Sequence, residues 1–225
     1  MDNLTRKALI GLAQLEVLMA LVLFIPAGSI RFWQGWVYWA LFSISVTAIT
    51  LYFLRYDPHL IAGRLNAGPW AEQQTNQKII QAIAAVLFSA VLIFPAFDYR
   101  FHWSQVPAAI VIFGDIVSLL ALAMIFLVFR ENSYAAGTIR VEAEQHVIST
   151  GPYRLVRHPM YSAAVILFLA TPLALGSAWG LIIAIPLIAA LIVRLTDEER
   201  YLSVHLPGYD GYRQRVNYRL LPFIW

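Results

Sequence analysis

Six long, nearly charge-free apolar runs confine this chain to a helical bundle in a membrane. They lie at about 8–27, 35–54, 79–97, 106–129, 160–175 and 177–193, and crossing a bilayer takes roughly 20 residues. With no water to satisfy their backbone groups, such runs must be helices rather than open strands. The last two are short and meet at Leu175-Gly176-Ser177, which predicts a tight hairpin. The expected fold is therefore an all-α, multi-pass transmembrane bundle of about six helices, either six crossings or four and a re-entrant hairpin. Composition agrees, because only 13% of residues are charged against about a quarter in a soluble domain. The first run has too long an apolar core for a signal peptide and lacks a clear cleavage site.

The charges give this bundle a direction. With six crossings, fourteen of the sixteen Lys and Arg residues fall on one side, leaving Arg31 and Arg100 on the other. The positive-inside rule then puts both termini and the segment 151–161 in the cytoplasm. The net charge of +3 reflects that topology and carries no implication of nucleic acid. Zero cysteines exclude disulfides, thiolate metal sites and a cysteine nucleophile. The five histidines show no metal-ligand spacing, so no metal is expected. Without repeats or linkers, one domain spanning 1–225 is the simplest organisation, with transmembrane helices in 1–129 and the polar chemistry in 130–225.

Function-bearing side chains concentrate in Gly151–Tyr161, GPYRLVRHPMY. Gly151-Pro152 marks a turn, and Pro159 suits the first position of a helix, where its missing amide is no loss. His158 thus lands at a helix N-terminus beside Arg154 and Arg157, a favourable seat for a carboxylate or phosphate. Further along, Arg194, Glu198 and Tyr201 share one helical face, with Glu199 about 100° round. Taken alone, that pattern equally describes a salt-bridged helix end. The polar loop 131–158 contains an alternating piece, Ile139-Arg140-Val141-Glu142, suited to lie extended over a site. Glu16 and Asp115 fall inside apolar runs, where a carboxylate needs a partner or a wet cavity; an interhelical hydrogen bond is the simpler expectation. His59 reads as a surface or capping residue and His102 as interfacial. Tyr209, Tyr212 and Val216 form an amphipathic stripe, and the tail 220–225 is expected to tuck back onto the membrane surface.

Taken together, GPYRLVRHPMY, the hairpin, Glu198-Glu199, LPGYDGY and RLLPFIW resemble the isoprenylcysteine carboxyl methyltransferase and phospholipid methyltransferase family of integral membrane enzymes. The resemblance covers about 130–225 and implies S-adenosyl-L-methionine as cofactor. By it, Gln145, His146, Val147 and Ile148 correspond to a strip that contacts the cofactor largely through backbone. Tyr153, His158, Pro159 and Tyr161 match cofactor-binding positions, and Gly151 and Arg157 belong to the same stretch. Glu198 and Glu199 match an acidic pair, one of which contacts the cofactor, and Arg194 matches an arginine near the methyl-accepting group. Asn132 and Arg140 fall where the family has polar residues. The chain departs at Gln145, where carboxyl methyltransferases often have a histidine; here His146 follows one place later.

These readings imply methyl transfer to a lipophilic acceptor, a small molecule or prenylated substrate arriving from the bilayer. The leading acceptor is the carboxylate of an isoprenylcysteine-like lipid, with Arg194 holding it and the acidic pair at the catalytic centre. A phospholipid amine is the alternative. Two other classes remain beside these: a nicotinamide-dependent sterol-type reductase, whose C-terminal half is similar, and a non-catalytic scaffold or small transporter. The host membrane is the endoplasmic reticulum or a bacterial inner membrane.

Overall fold

A computed structural model describes residues 2–72 and 74–225. The described residues form helices and short turns: α1 (Asn3–Ala27), α2 (Trp33–Tyr56), α3 (Pro58–Leu65), α4 (Thr75–Phe101), α5 (Ala108–Glu131), α6 (Pro159–Ala174), α7 (Gly180–His205) and α8 (Tyr209–Arg215). Local chemistry sets the boundaries. The Asp2 side chain accepts from the Leu4 amide at 2.7 Å, while Gly28, at φ 61°, closes the other end of α1 in a left-handed cap. Asp57 caps α3 through the Leu60 amide at 3.1 Å, with Pro58 at the first position. His158 precedes α6 and Pro159 opens it, as the sequence spacing predicts.

Five helices are long and apolar enough to cross a membrane, namely α1, α2, α4, α5 and α7, and the protein is integral to one. The re-entrant alternative fits α7 poorly, since its 26 residues extend about 39 Å at 1.5 Å per residue. Only α6, with 16 residues, is short for a full crossing. The helices alternate in direction, so the chain has two ends of unlike character. One end gathers the start of α1, α3, the loop 132–158, the last turns of α7, and α8. The other holds the three connections after α1, α4 and α6.

At that far end Asp98 is 1% exposed and accepts from the Ser104 amide at 2.6 Å, the Ser104 hydroxyl at 2.7 Å and the Ser177 hydroxyl. It thereby ties the 102–107 connection to the α6–α7 hairpin. The hairpin turns at Gly176, φ 73°, where the Gly176 and Ser177 amides close onto Leu173 and Pro172 at 2.9 and 2.8 Å. Between α5 and α6 the approach is closest at Gly114, where a Cβ would lie 2.5 Å from the Ala174 backbone nitrogen.

The intramembrane carboxylates part ways. Glu16 accepts from Thr47 across the α1–α2 interface at 2.9 Å, the interhelical bond that the sequence suggests. Asp115 is buried with its Oδ1 unpartnered among the described residues. His59 pairs with Glu142 at 2.9 Å, a surface role. The tail folds into a compact turn: the Arg219 and Leu220 amides reach the Trp225 carbonyl at 2.8 and 3.0 Å. Leu220 enters the core beside Tyr161 and Leu195.

Candidate active site

Where α5 ends, the chain leaves the bundle in an irregular loop that folds back across the beginnings of α6 and α8 and the last turns of α7. Asn132 starts this loop; its side-chain oxygen accepts from the Tyr134 amide at 3.0 Å and its amide donates to the Tyr153 hydroxyl at 2.8 Å. Val141, Val147 and Tyr153 pack on Leu206, Tyr209 and Tyr212, so apolar burial holds the loop down. Under it lies an open cleft with about 810 Å³ of empty space, the solvent at its mouth included.

The cleft collects most of the residues singled out by sequence. Asn132, Arg140, Gln145, His146, Val147, Ile148, Tyr153, Arg157, His158, Pro159, Tyr161 and Glu198 all line it. The acidic pair divides. Glu198 faces the cleft and accepts from the Tyr161 hydroxyl at 2.5 Å. Glu199, 3% exposed, turns away to bind Arg157 Nε at 2.6 Å, Arg219 Nε at 2.8 Å and His158 Nε2 at 3.3 Å. Three candidate cations on one carboxylate amount to a buried hub of charge-assisted bonds. This hub pins the start of α6 to the tail, which also accepts the Arg157 and His158 amides on Tyr218 and Arg219 at 2.9 and 3.0 Å.

Four residues sit elsewhere than a shared site would require. Gly151 does not line the cleft; at φ 54° it packs against Glu131, where a Cβ would come within 2.8 Å of the carboxyl carbon. It shapes the turn. Arg194 also lies outside the lining, its guanidinium donating to Glu72 at 2.7 Å, Gln77 at 3.0 Å and the Gly137 carbonyl at 3.2 Å. Tyr201 stacks on His205 at 4.0 Å rather than joining Arg194 and Glu198. Arg154 is exposed, leaving Arg157 as the arginine of that stretch in the cleft wall.

The sequence reading did not assign Tyr134, Met160, Leu202, Leu206, Tyr209 and Tyr212 to the site, taking Tyr209 and Tyr212 only as an amphipathic stripe, yet all six line the cleft. The two tyrosines three apart after Leu206-Pro207-Gly208 were the available signal, since that spacing puts both rings on one face. Tyr212 donates to the Tyr153 carbonyl at 2.8 Å, whereas the buried Tyr209 hydroxyl has no partner among the described residues. Arg140 Nε is likewise unpartnered. Burial pushes the Tyr153 hydroxyl up to about 12, with the Asn132 bond pulling the other way. Burial, then the Glu199 charge, raises Tyr209 well above the usual phenol range. Both stay protonated near neutrality.

The family model for phospholipid methyltransferases matches residues 109–206. Over this segment the chain is similar to the phospholipid methyltransferase family. The match supports a membrane methyltransferase. No curated protein matches the chain. The methyltransferase segment runs from α5 to the end of α7, taking in the covering loop and Glu198. It begins earlier than the resemblance drawn from sequence and stops short of Tyr209, Tyr212 and the tail.

The charge pattern of this cleft suits S-adenosyl-L-methionine, a molecule with both an anionic and a cationic end. Glu198 supplies an acceptor for an ammonium or for ribose hydroxyls, and Arg157 and His158 stand on the wall for a carboxylate. Ile148, Leu202 and the tyrosine rings offer apolar surface. The unpartnered Tyr209 hydroxyl and Arg140 Nε leave a donor on each side for which the protein itself provides no acceptor.

Proposed function

We propose that the protein is an S-adenosyl-L-methionine-dependent methyltransferase acting on the carboxylate of a lipophilic, isoprenylcysteine-like acceptor. The observation that carries this reading is the cleft under loop 132–148, built largely from the family-matching segment, where opposite charges and unpartnered buried donors converge. Residues proposed to hold the cofactor are Gln145, His146, Val147 and Ile148 along the loop, Tyr153, Arg157, His158 and Tyr161 at the α6 end, and Glu198 on α7. Glu199 and Gly151 are proposed to act behind them, fixing the wall.

When bound, the cofactor supplies an electrophilic methyl: its S–CH3 bond breaks as the acceptor's O–CH3 bond forms, so sulfonium and carboxylate become neutral thioether and ester. A carboxylate needs no deprotonation, so the protein's part is alignment and exclusion of water. Loop 132–148 provides the cover, and the buried tyrosines hold fixed donors without exchanging protons. Because the cleft adjoins membrane helices, the acceptor is proposed to arrive laterally from the bilayer. The clustering of basic residues at this end supports a cytoplasmic orientation for the site and both termini.

A phospholipid amine is the second reading, supported by the name of the matching family. It differs in needing a base, because an ammonium must lose a proton before it can attack. Titration calorimetry of the cofactor and its demethylated product, S-adenosylhomocysteine, against detergent-purified protein tests the common core. Binding weakened at least tenfold by Glu198→Gln is the expected outcome; no binding to the intact protein refutes it. Transfer of labelled methyl to a prenylcysteine carboxylate amphiphile, set beside phosphatidylethanolamine, separates the two acceptors.

A further inference from the structure

Four of the arginines around the cleft hold carboxylates. Arg140 holds Glu142 at 2.8 Å, Arg157 and Arg219 hold Glu199 at 2.6 and 2.8 Å, and Arg194 holds Glu72 at 2.7 Å. Arg64, on α3, has no carboxylate partner among the described residues. Its Nη1 reaches only the Ala136 carbonyl at 3.4 Å and the Met160 sulfur at 3.9 Å, and its guanidinium lies 5.0 Å over the Phe129 ring. These are weak partners for a cation. Burial acts first to pull its pKa below the ordinary arginine value, and the Arg194 charge adds to that pull. Arginine nonetheless stays charged in proteins, which leaves a partly buried cation short of an anion.

Its position joins two spaces. Ala136 and Met160 are cleft residues, so one side of Arg64 abuts the proposed cofactor site. The other side opens into a cavity between α1, α2 and α3, which shares Leu15 with a second, apolar cavity between α1, α2 and α4. The two cavities use one seam. On α2 they are lined by Tyr38, Phe42, Val46 and Thr50 at successive four-residue steps, and on α1 they run from Ala8 to Val22. That stretch of α1 rises about 21 Å at 1.5 Å per residue, comparable to an extended isoprenoid or fatty chain. Among the residues lining the two cavities only Arg64 is charged, while Glu16 in the same α1–α2 interface is engaged by Thr47.

We propose that Arg64 and the α1–α2 seam form the acceptor site, with Arg64 holding a lipid carboxylate and the seam holding the chain behind it. The planar guanidinium matches a carboxylate in two parallel bonds, and the anion supplies the partner that the fold withholds. Arg194, already saturated by Glu72 and Gln77, then serves to brace the site from behind rather than to hold the acceptor. The placement rests on the methyltransferase reading only for what happens to the carboxylate after it binds.

The test is photolabelling of the intact protein in detergent with a palmitate analogue bearing a mid-chain diazirine, beside the matching long-chain alcohol. Expected is palmitate labelling centred on Leu15 and Leu18 or on Phe42, competed by unlabelled palmitate but not by hexadecanol. Arg64→Gln is expected to lower palmitate labelling at least tenfold while leaving alcohol labelling and S-adenosylmethionine binding unchanged. Leu15→Trp, which obstructs the seam and leaves the charge, is expected to reduce labelling by both probes. Labelling at other helices, or equal competition by acid and alcohol on the native protein, overturns the proposal. Cofactor binding is read separately by calorimetry, so a protein that takes palmitate through Arg64 but no S-adenosylmethionine sinks the methyltransferase cofactor and spares the lipid site.

Discussion

Glu198 and Glu199 are neighbours in sequence and opposites in duty, because one residue along a helix is a 100° rotation. Glu198 meets the cleft with a single tyrosine hydroxyl on it, while Glu199 is enclosed by Arg157, His158 and Arg219. Exchanging Glu199 for Gln leaves two arginines facing a neutral amide, and breaking a buried pair by removing one partner costs about 3–5 kcal/mol. The expected result is a clear fall in thermal midpoint for Glu199→Gln, against a near-native midpoint and weakened cofactor binding for Glu198→Gln. Thermal denaturation alongside calorimetry reads both. Tyr153 gives a pH-dependent counterpart. Its phenol, near 10 when unfolded, is held up to about 12 by burial, so its contribution is complete below pH 10. It is lost as pH rises through 12. Tyr153→Phe should therefore flatten the alkaline fall in melting temperature. The sequence placed both glutamates near the site without assigning them, since Arg219 reaches Glu199 from a tail whose path no local pattern reveals. Arg64 and Glu72 stayed hidden for the same reason: a missing or present partner is a tertiary fact.

At the scale of helices, much more was readable. Apolar length fixed the crossings, and the Gly151–Pro159 pattern located a turn and a helix start within a residue. Loop 132–148 was harder, since its cover over the cleft depends on Val141 and Val147 finding Leu206 and Tyr212, contacts between irregular backbone and a distant helix. The α5–α6 seam shows what hydropathy omits. Gly114 reads as one more small residue in an apolar run, yet it is where α5 lies against the α6 backbone. Gly114→Ala should push these helices apart and lower stability by about 1–3 kcal/mol, the usual range for overpacking. Denaturation in mild detergent measures it, and an unchanged midpoint would show that the seam can relax.

For the whole molecule, orientation in the membrane is testable with unusual directness because the chain has no cysteine of its own. A single cysteine at the exposed Leu155 of the cleft end, or at the exposed Ala178 of the hairpin, reports one face each. Impermeant maleimide on intact cells is expected to label Ala178→Cys at once and Leu155→Cys only after permeabilisation; the reverse pattern inverts the topology. The same two ends differ in how they are fastened. Asp98 staples the far connections together, whereas the cleft end is closed by an irregular loop and a folded tail. The bundle is thus riveted at one end by a single carboxylate and laced at the other by the Glu199 hub and the apolar seat of the loop, so loosening either end calls for a different kind of substitution.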